Sequence, residues 1–277
     1  MIIPAHAQQT GLVQELTISP TDSHYDVDPG KVVNDQLTIL NSGQTTLNLS
    51  LYTAPYSVED ESYKQNFEDT SQPRADAQRW ISLSRTDLSV GPRETVRIPY
   101  VITVPDNASP GGHYGAIFAE IGAEGDSGSI ARKKRVGSLV YVNVSGDVRR
   151  EGTLSTDNIS AFQTAPPLRA SIVAKNTGNT DYMVTTAFSV KNVFDKTIHE
   201  QRVENYILPE TTRTIPIEWT DSPWAGIYKV NLSSEALGQS SKQESYVVII
   251  PKWLIFAVVL VVILGVLNAY RQKTRRR

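Results

Sequence analysis

The sequence has 277 residues, 40% of them apolar and 20% charged, the balance of folded domains rather than of a disordered chain. Its formal charge of −2 conceals an asymmetry: five basic residues follow Tyr270, leaving 22 basic against 29 acidic elsewhere, a net of −7. That excess argues against nucleic acid and anionic lipid as partners of the body of the chain. The absence of cysteine excludes disulfides and thiolate zinc sites.

At the start, Ala5 and Ala7 have the A-x-A spacing of a signal-peptide end, and polar Gln8 and Gln9 follow. Residues 1–7 are therefore expected to be a signal-peptide remnant, with the first domain covering residues 8–150. Alternating segments recur from Leu12. Leu47, Leu49 and Leu51 alternate with Asn48, Ser50 and Tyr52, and Val96, Ile98, Tyr100, Ile102 and Val104 with Arg97, Pro99 and Thr103. This period of two is that of a strand with one wet face. Tyr114 to Ile121 and Leu139 to Val144 are apolar on both faces in places, as central strands can be. Asp28-Pro29-Gly30, Asn41-Ser42-Gly43, Gly91-Pro92 and Ser109-Pro110-Gly111-Gly112 mark turns between them.

Two stretches break this rhythm. Residues 55–79 are long and polar, with acids at Glu59, Asp60, Glu61, Glu68 and Asp69, and a loop of that length in a compact domain tends to be functional or mobile. Gly122 to Ser129, followed by Arg132, Lys133, Lys134 and Arg135, reads as a hairpin tip with a basic base. Tyr56, Tyr63, Phe67 and Trp80 of the long loop, with Arg132, Lys133, Lys134 and Arg135, form the expected ligand-contact set.

The second half echoes the first. Leu40-Asn41-Ser42-Gly43 returns as Lys175-Asn176-Thr177-Gly178, Pro92 to Pro99 as Pro209 to Pro216, and Gly112-His113-Tyr114 as Gly226-Ile227-Tyr228, at offsets of 135, 117 and 114. Three echoes in one order predict two copies of one domain type, with a seam near Gly146 to Gly152. The second domain, residues 151–250, should have strands at Leu168–Lys175, Met183–Val190, Thr212–Trp219, Lys229–Ser233 and Ser245–Ile250. No stretch before Trp253 sustains a helical period. The expectation is an all-β chain: two tandem immunoglobulin-like β-sandwiches followed by one C-terminal transmembrane helix.

That helix is residues 253–270, WLIFAVVLVVILGVLNAY, without a charge. At helical rise it spans about 27 Å, close to the hydrocarbon thickness of a bilayer. Trp253 and Tyr270 bracket it as interfacial aromatics do. The basic tail, residues 271–277, carries Arg271, Lys273, Arg275, Arg276 and Arg277 and puts that end in the cytoplasm by the positive-inside rule. The expected location is therefore the cell membrane, single-pass, with the N-terminal ectodomain outside. Only Pro251 and Lys252 separate the last strand from the helix, so the second domain should sit close to the bilayer.

No catalytic constellation emerges. His6, His24, His113 and His199 lack metal-ligand spacing, and Asp22, Asp26 and Asp28 lack the glycine and distal glutamate of a calcium loop. There is no G-x-S-x-G and no thiol. The acids of Glu59 to Asp69 read as hydration rather than a glycosidase pair, which needs rigid carboxylates about 5–10 Å apart. Trp80, Trp219 and Trp224 either stack on sugar rings or plug the ends of the sandwiches, the second being the reading favoured. No cofactor, metal or enzymatic activity is expected.

Tyr25-Asp-Val-Asp-Pro29-Gly30, Leu37-Thr-Ile-Leu-Asn41-Ser-Gly and Gly111-Gly112-His-Tyr-Gly115-Ala-Ile together resemble the bacterial WxL-interacting surface proteins. The motif likeness lies in the N-terminal, peptidoglycan-binding domain of that family, and the layout is similar over the whole chain. The resemblance implies a membrane-anchored cell-surface protein with peptidoglycan or a surface protein as partner. The alternative is an extracytoplasmic scaffold subunit of a membrane complex.

Overall fold

The computed structural model describes residues 16–121, 134–156 and 159–275, with the backbone alone at 270 and 272–275. The described residues are mostly strand, with one C-terminal helix, so the class is all-β. The chain divides into two compact units, residues 1–59 with 64–149 and residues 60–63 with 150–277.

The first unit contains strands β1 Leu16–Ser19, β2 Asp22–Val27, β3 Val32–Asn41, β4 Leu47–Pro55, β5 Ser57–Val58, β6 Gln65–Asn66, β7 Ile81–Leu83, β8 Asp87–Val90, β9 Thr95–Thr103, β10 Gly111–Ile121 and β11 Arg135–Val144, with a 3-10 turn at Ala77–Arg79. One sheet has the order β1-β3-β9-β7 and the other β2-β11-β10-β4-β8. The period-2 pattern supplies their common core: Leu37, Ile39, Ile98 and Ile102 from the first sheet meet Leu49, Leu51, Ile117, Val140 and Val142 from the second. Each such side chain contributes about 1.5–3 kcal/mol when fully buried. Tyr25 ties the sheets at one edge, donating to Asp35 at 2.5 Å and sharing a 2.5 Å bond with the Tyr100 hydroxyl. Burial, then the Asp35 contact, pushes the Tyr25 phenol well above its usual range.

Neither edge of this sandwich presents one long strand. The chain pairs with β3 as β1, then crosses to pair in parallel with β11 as β2. On the far side β7 pairs with β9, and β8 crosses to β4. Splitting an edge between two sheets leaves only short runs of unpaired backbone, which blunts edge-to-edge association.

The second unit holds β12 Gly152–Thr156, β13 Phe162–Gln163, β14 Leu168–Asn176, β15 Tyr182–Lys191, β16 Thr197–Ile207, β17 Thr212–Trp219, β18 Gly226–Ala236 and β19 Gln239–Ile249. Its sheets run β12-β14-β17 and β13-β19-β18-β15-β16. The first edge device recurs: β12 pairs with β14, and β13 pairs in parallel with β19. Trp219 of the smaller sheet stacks on His199 of the larger at 5.3 Å and meets Tyr228 edge-on at 5.7 Å, so it plugs the sandwich. Strand β16 was not anticipated in the sequence.

Two of the three echoes occupy equivalent places. Asn41 and Asn176 are both buried. Asn41 donates to the carbonyls of Thr45, Val90 and Gly91 at 2.8–3.0 Å, and Asn176 to those of Thr180 and Ile207 at 2.8 Å. Each accepts the amide two residues on, from Gly43 at 2.9 Å and Gly178 at 2.8 Å. The same asparagine backbones donate to the carbonyls of Glu94 and Thr211, the matched residues of the second echo. There Arg93 and Glu210 follow prolines with φ of 59° and 58°, the left-handed second corner of a tight turn.

The third echo is out by one residue. Ala119 pairs with Leu51, and Ser234 with Thr186, which sets the offset at 115 and matches Gly111, not Gly112, to Gly226. A slip of one reverses the faces of a strand. Tyr114 therefore lies on the outer face against Tyr141, whereas Tyr228 points inward to Trp219.

Helix α1, Lys252–Arg275, follows Pro251 at once. Among the described residues it is the single helix long and apolar enough to cross a membrane. Its 18-residue window Lys252–Ala269 has a mean hydropathy of 2.4 and is nowhere buried. Residues 1–7 and Arg276 and Arg277 lie outside the described residues, as do the side chains of Tyr270, Lys273 and Arg275.

Candidate functional site

The outer face of sheet β2-β11-β10-β4-β8 is apolar where an exposed sheet face would be polar. Its cross-strand rows are Tyr141–Tyr114, Leu139–Ala116–Ala54 and Gly137–Phe118–Tyr52, then Arg135–Glu120–Ser50. Ala54, Ala116 and Phe118 are buried there with Tyr52, Phe67 and Leu139 packed on them, a second small core outside the sandwich. Phe118 needs Gly137 beside it, since a Cβ at that glycine would come within 2.6 Å of the ring.

The chain between β4 and β7 covers this face. Expected as a long polar loop, functional or mobile, it forms a short hairpin, β5 with β6, followed by the 3-10 turn. Tyr56 lies against Phe67 at 5.7 Å and Tyr141 at 5.9 Å, and Phe67 meets Phe118 edge-on at 4.9 Å. The later part turns into the end of the sandwich, where Ala77 and Trp80 join the main core. Buried His113 holds that turn, its Nδ1 2.7 Å from an Asp76 carboxylate oxygen and its Nε2 2.8 Å from the Ser109 carbonyl. Burial raises the Asp76 carboxyl, but the His113 ring outweighs it and leaves Asp76 below its ordinary value. A Cβ at Gly115 would come within 2.7 Å of the Gln78 nitrogen, so the turn needs glycine beneath it.

Three of the expected contact residues are corrected by this packing. Tyr56 is 4% exposed and Trp80 8%, and neither offers a face to a ligand. Tyr63, 9% exposed, belongs with the second unit, where its hydroxyl accepts the Leu208 amide at 2.7 Å and Arg213 lies over its ring at 4.4 Å. The loop acids hold turns: Asp60 accepts from Ser62, Asp69 from Ser71 and Gln72, and Glu59 from Lys64. Asp69 is held below its ordinary value chiefly by the Ser71 and Gln72 donors. Asp22 and Asp26 are likewise engaged along β2, Asp22 with His24 at 3.1 Å and Asp26 with Asn143 at 2.6 Å.

What remains open is the end of the aromatic strip. Arg135 is exposed, its guanidinium carbon 4.6 Å from the Phe118 centroid and 5.9 Å from that of Phe67. It donates to the Tyr52 hydroxyl at 3.2 Å, which donates on to Glu120 at 3.0 Å. Tyr52 and Phe67 are half-buried, and Lys134, next to Arg135 in the chain, is exposed. Arg132 and Lys133 lie outside the described residues. Phe67 of the long loop and Arg135 of the basic hairpin, 68 positions apart, thus meet at one patch of rings, cation and acid. The sequence singled out both, but Tyr52, Phe118 and Glu120 were missed. Their signal was that the outward positions of β4 and β10 carry rings and alanines where polar residues belong.

In the second unit a groove of about 530 Å³ is lined by Phe162, Pro166, Pro167, Arg169, Pro216 and Glu218, with Arg169 and Glu218 paired between adjacent strands at 2.9 Å. Among the described residues no group of three His, Asp or Glu could hold a metal ion.

No family model matches the chain, and no curated protein matches it. Among solved structures it is similar to the E. coli chaperone DraB, at 14% identity over 83% of this chain and 96% of that one, with a TM-score of 0.43. A chain from the chaperone–tip adhesin complex of CFA/I fimbriae matches at 11% identity over 85% and 99%, TM-score 0.42. One from the Salmonella enterica SafA pilin–SafB chaperone complex matches at 11% over 84% and 96%, TM-score 0.41. At scores below 0.5 these likenesses carry no argument about function.

Proposed function

We propose that this is a non-enzymatic surface protein, held in the membrane by α1, whose first sandwich contacts cell-wall peptidoglycan or a partner surface protein. Its contact patch is Tyr52, Phe67, Lys134 and Arg135. The observation that carries the reading is the meeting of Phe67 and Arg135 over Phe118. A ring face suits the apolar C–H face of a sugar, and a guanidinium suits the carboxylates of a wall peptide. The basic tail orients α1 with the sandwiches outside. The resemblance to WxL-interacting surface proteins points the same way.

The test is co-sedimentation of the full-length protein, in detergent, with purified peptidoglycan sacculi. Phe67→Ala and Arg135→Ala are the variants, since both side chains reach the surface and neither lies in the main core. Sedimentation lost in both supports the patch. Sedimentation that survives both moves the site elsewhere, and none by the wild-type protein ends the wall-binding reading. A surface-protein partner would then be sought by crosslinking at position 135.

A further inference from the structure

Most of the large apolar side chains exposed on the second unit lie at one end of its larger sheet, Met183 being an exception. Register places Phe162 of β13, Val248 of β19 and Ile227 of β18 in one row across three neighbouring strands. Phe162 is 48% exposed and Ile227 51%. In the next row Tyr246, 63% exposed, stands opposite Lys229. Trp224, 65% exposed, ends the turn that leads into β18. Outward positions further along the same strands are polar: Asn231 opposite Glu244, then Ser233 opposite Lys242.

This row lies where the chain leaves the sandwich. Val248 is four residues before Lys252, the first residue of α1, a reach of at most about 14 Å. The headgroup region on each side of a bilayer is about 5–8 Å deep. Tryptophan, tyrosine and lysine are the residues that favour this layer, since each joins an apolar body to a polar tip.

We propose that this end of the second sandwich is a lipid-docking surface, with Phe162, Trp224, Ile227 and Tyr246 seated in the headgroup layer of the bilayer that α1 crosses. The proposal rests on α1 being a membrane span. Docking is by apolar insertion, so it needs no anionic lipid and agrees with the net negative charge of the body of the chain. It makes the membrane end of the protein a seated platform rather than a bead on a two-residue string.

The test uses the full-length protein in phosphatidylcholine vesicles. The chain has no native cysteine, so single nitroxide labels can be placed at Ile227→Cys, Tyr246→Cys, Met183→Cys and Val261→Cys. Met183, 41% exposed, lies near the opposite end of the same sheet, and Val261 lies in the middle of α1. Collision with oxygen, which partitions into lipid, is compared with collision by a water-soluble nickel chelate. Labels at 227 and 246 are expected to favour oxygen several-fold over the label at 183. Equal values at all three, with 261 reading as lipid, would overturn the docking surface and leave the anchor standing. A label at 261 that reads as water would end the membrane-span reading, and docking with it. Trp224→Phe is the conservative second probe. It should remove a share of the tryptophan emission quenched by brominated phosphatidylcholine, and no change would count against the proposal.

Discussion

The two units share the pairings of their central strands but differ on the outer face of the larger sheet. In the first, matched cross-strand rows read Leu139–Ala116–Ala54 and Gly137–Phe118–Tyr52. In the second the same positions read Glu244–Asn231–Ser189 and Lys242–Ser233–Ala187. Between β4 and β7 the chain has 25 residues, 56 to 80, of which Tyr56 and Phe67 pack on the apolar rows of the first unit, whereas in the second a short connection joins β15 directly to β16. An insertion and the face beneath it are thus one feature: the rows are apolar because Tyr56 and Phe67 cover them. Where the cover ends, at Arg135, a ring surface is left at the edge of solvent.

Exchanging the two faces breaks the comparison most sharply. Phe118→Ser, which installs the residue of the second unit, should destabilise the first by about 3–5 kcal/mol, since it empties a buried ring site. The reverse change, Ser233→Phe, should cost no more than about 0.5 kcal/mol because that position is only half-buried. Equilibrium denaturation of the two variants measures both.

The buried asparagines should behave alike. Asn41→Ala and Asn176→Ala should each cost about 1–3 kcal/mol, since both leave buried carbonyls and one amide without their partner. A large loss in one unit and none in the other would show that the shared turn is not equivalent in energy.

The smallest effect is acid sensitivity confined to the first unit. Asp76 is held below its ordinary value of 3.8 in the folded state by the His113 ring. Its contribution is therefore complete above that ordinary value and lost as the pH falls through the lower folded one. The matched position to His113 in the second unit is Tyr228, which bears no such pair. Asp76→Asn should flatten the pH dependence of the melting temperature of the first unit in that acid window and leave the second unchanged.

Much of this was legible in the sequence because it is local. Alternation located the central strands, Asn-x-Gly and the Pro-led turn marked equivalent corners, and the uncharged run before Arg271 marked α1. The third echo misled because glycines open both strands, and a period of two turns a one-residue error into the wrong face for Tyr114. Strand β16, TIHEQRVENYI, escaped notice because an edge strand can leave most of its residues in water and so lacks a clear apolar alternation. The fold of residues 56–80 was hidden for a different reason. Its polar composition serves its own turns, and its three buried rings are spaced with no period of helix or strand. Only the rings and alanines facing outward on β4 and β10 announced that something must lie over them.

The central claim is that the open end of that covered face is where the protein meets the wall. Hydrogen–deuterium exchange of the full-length protein, with and without soluble peptidoglycan fragments, tests it most directly. The account predicts slowed exchange in β4, β6, β10 and β11 around Tyr52, Phe67 and Arg135, with no change on the polar outer face of β15, β18 and β19. Protection confined to the second unit, or none anywhere at saturating fragment, would contradict it.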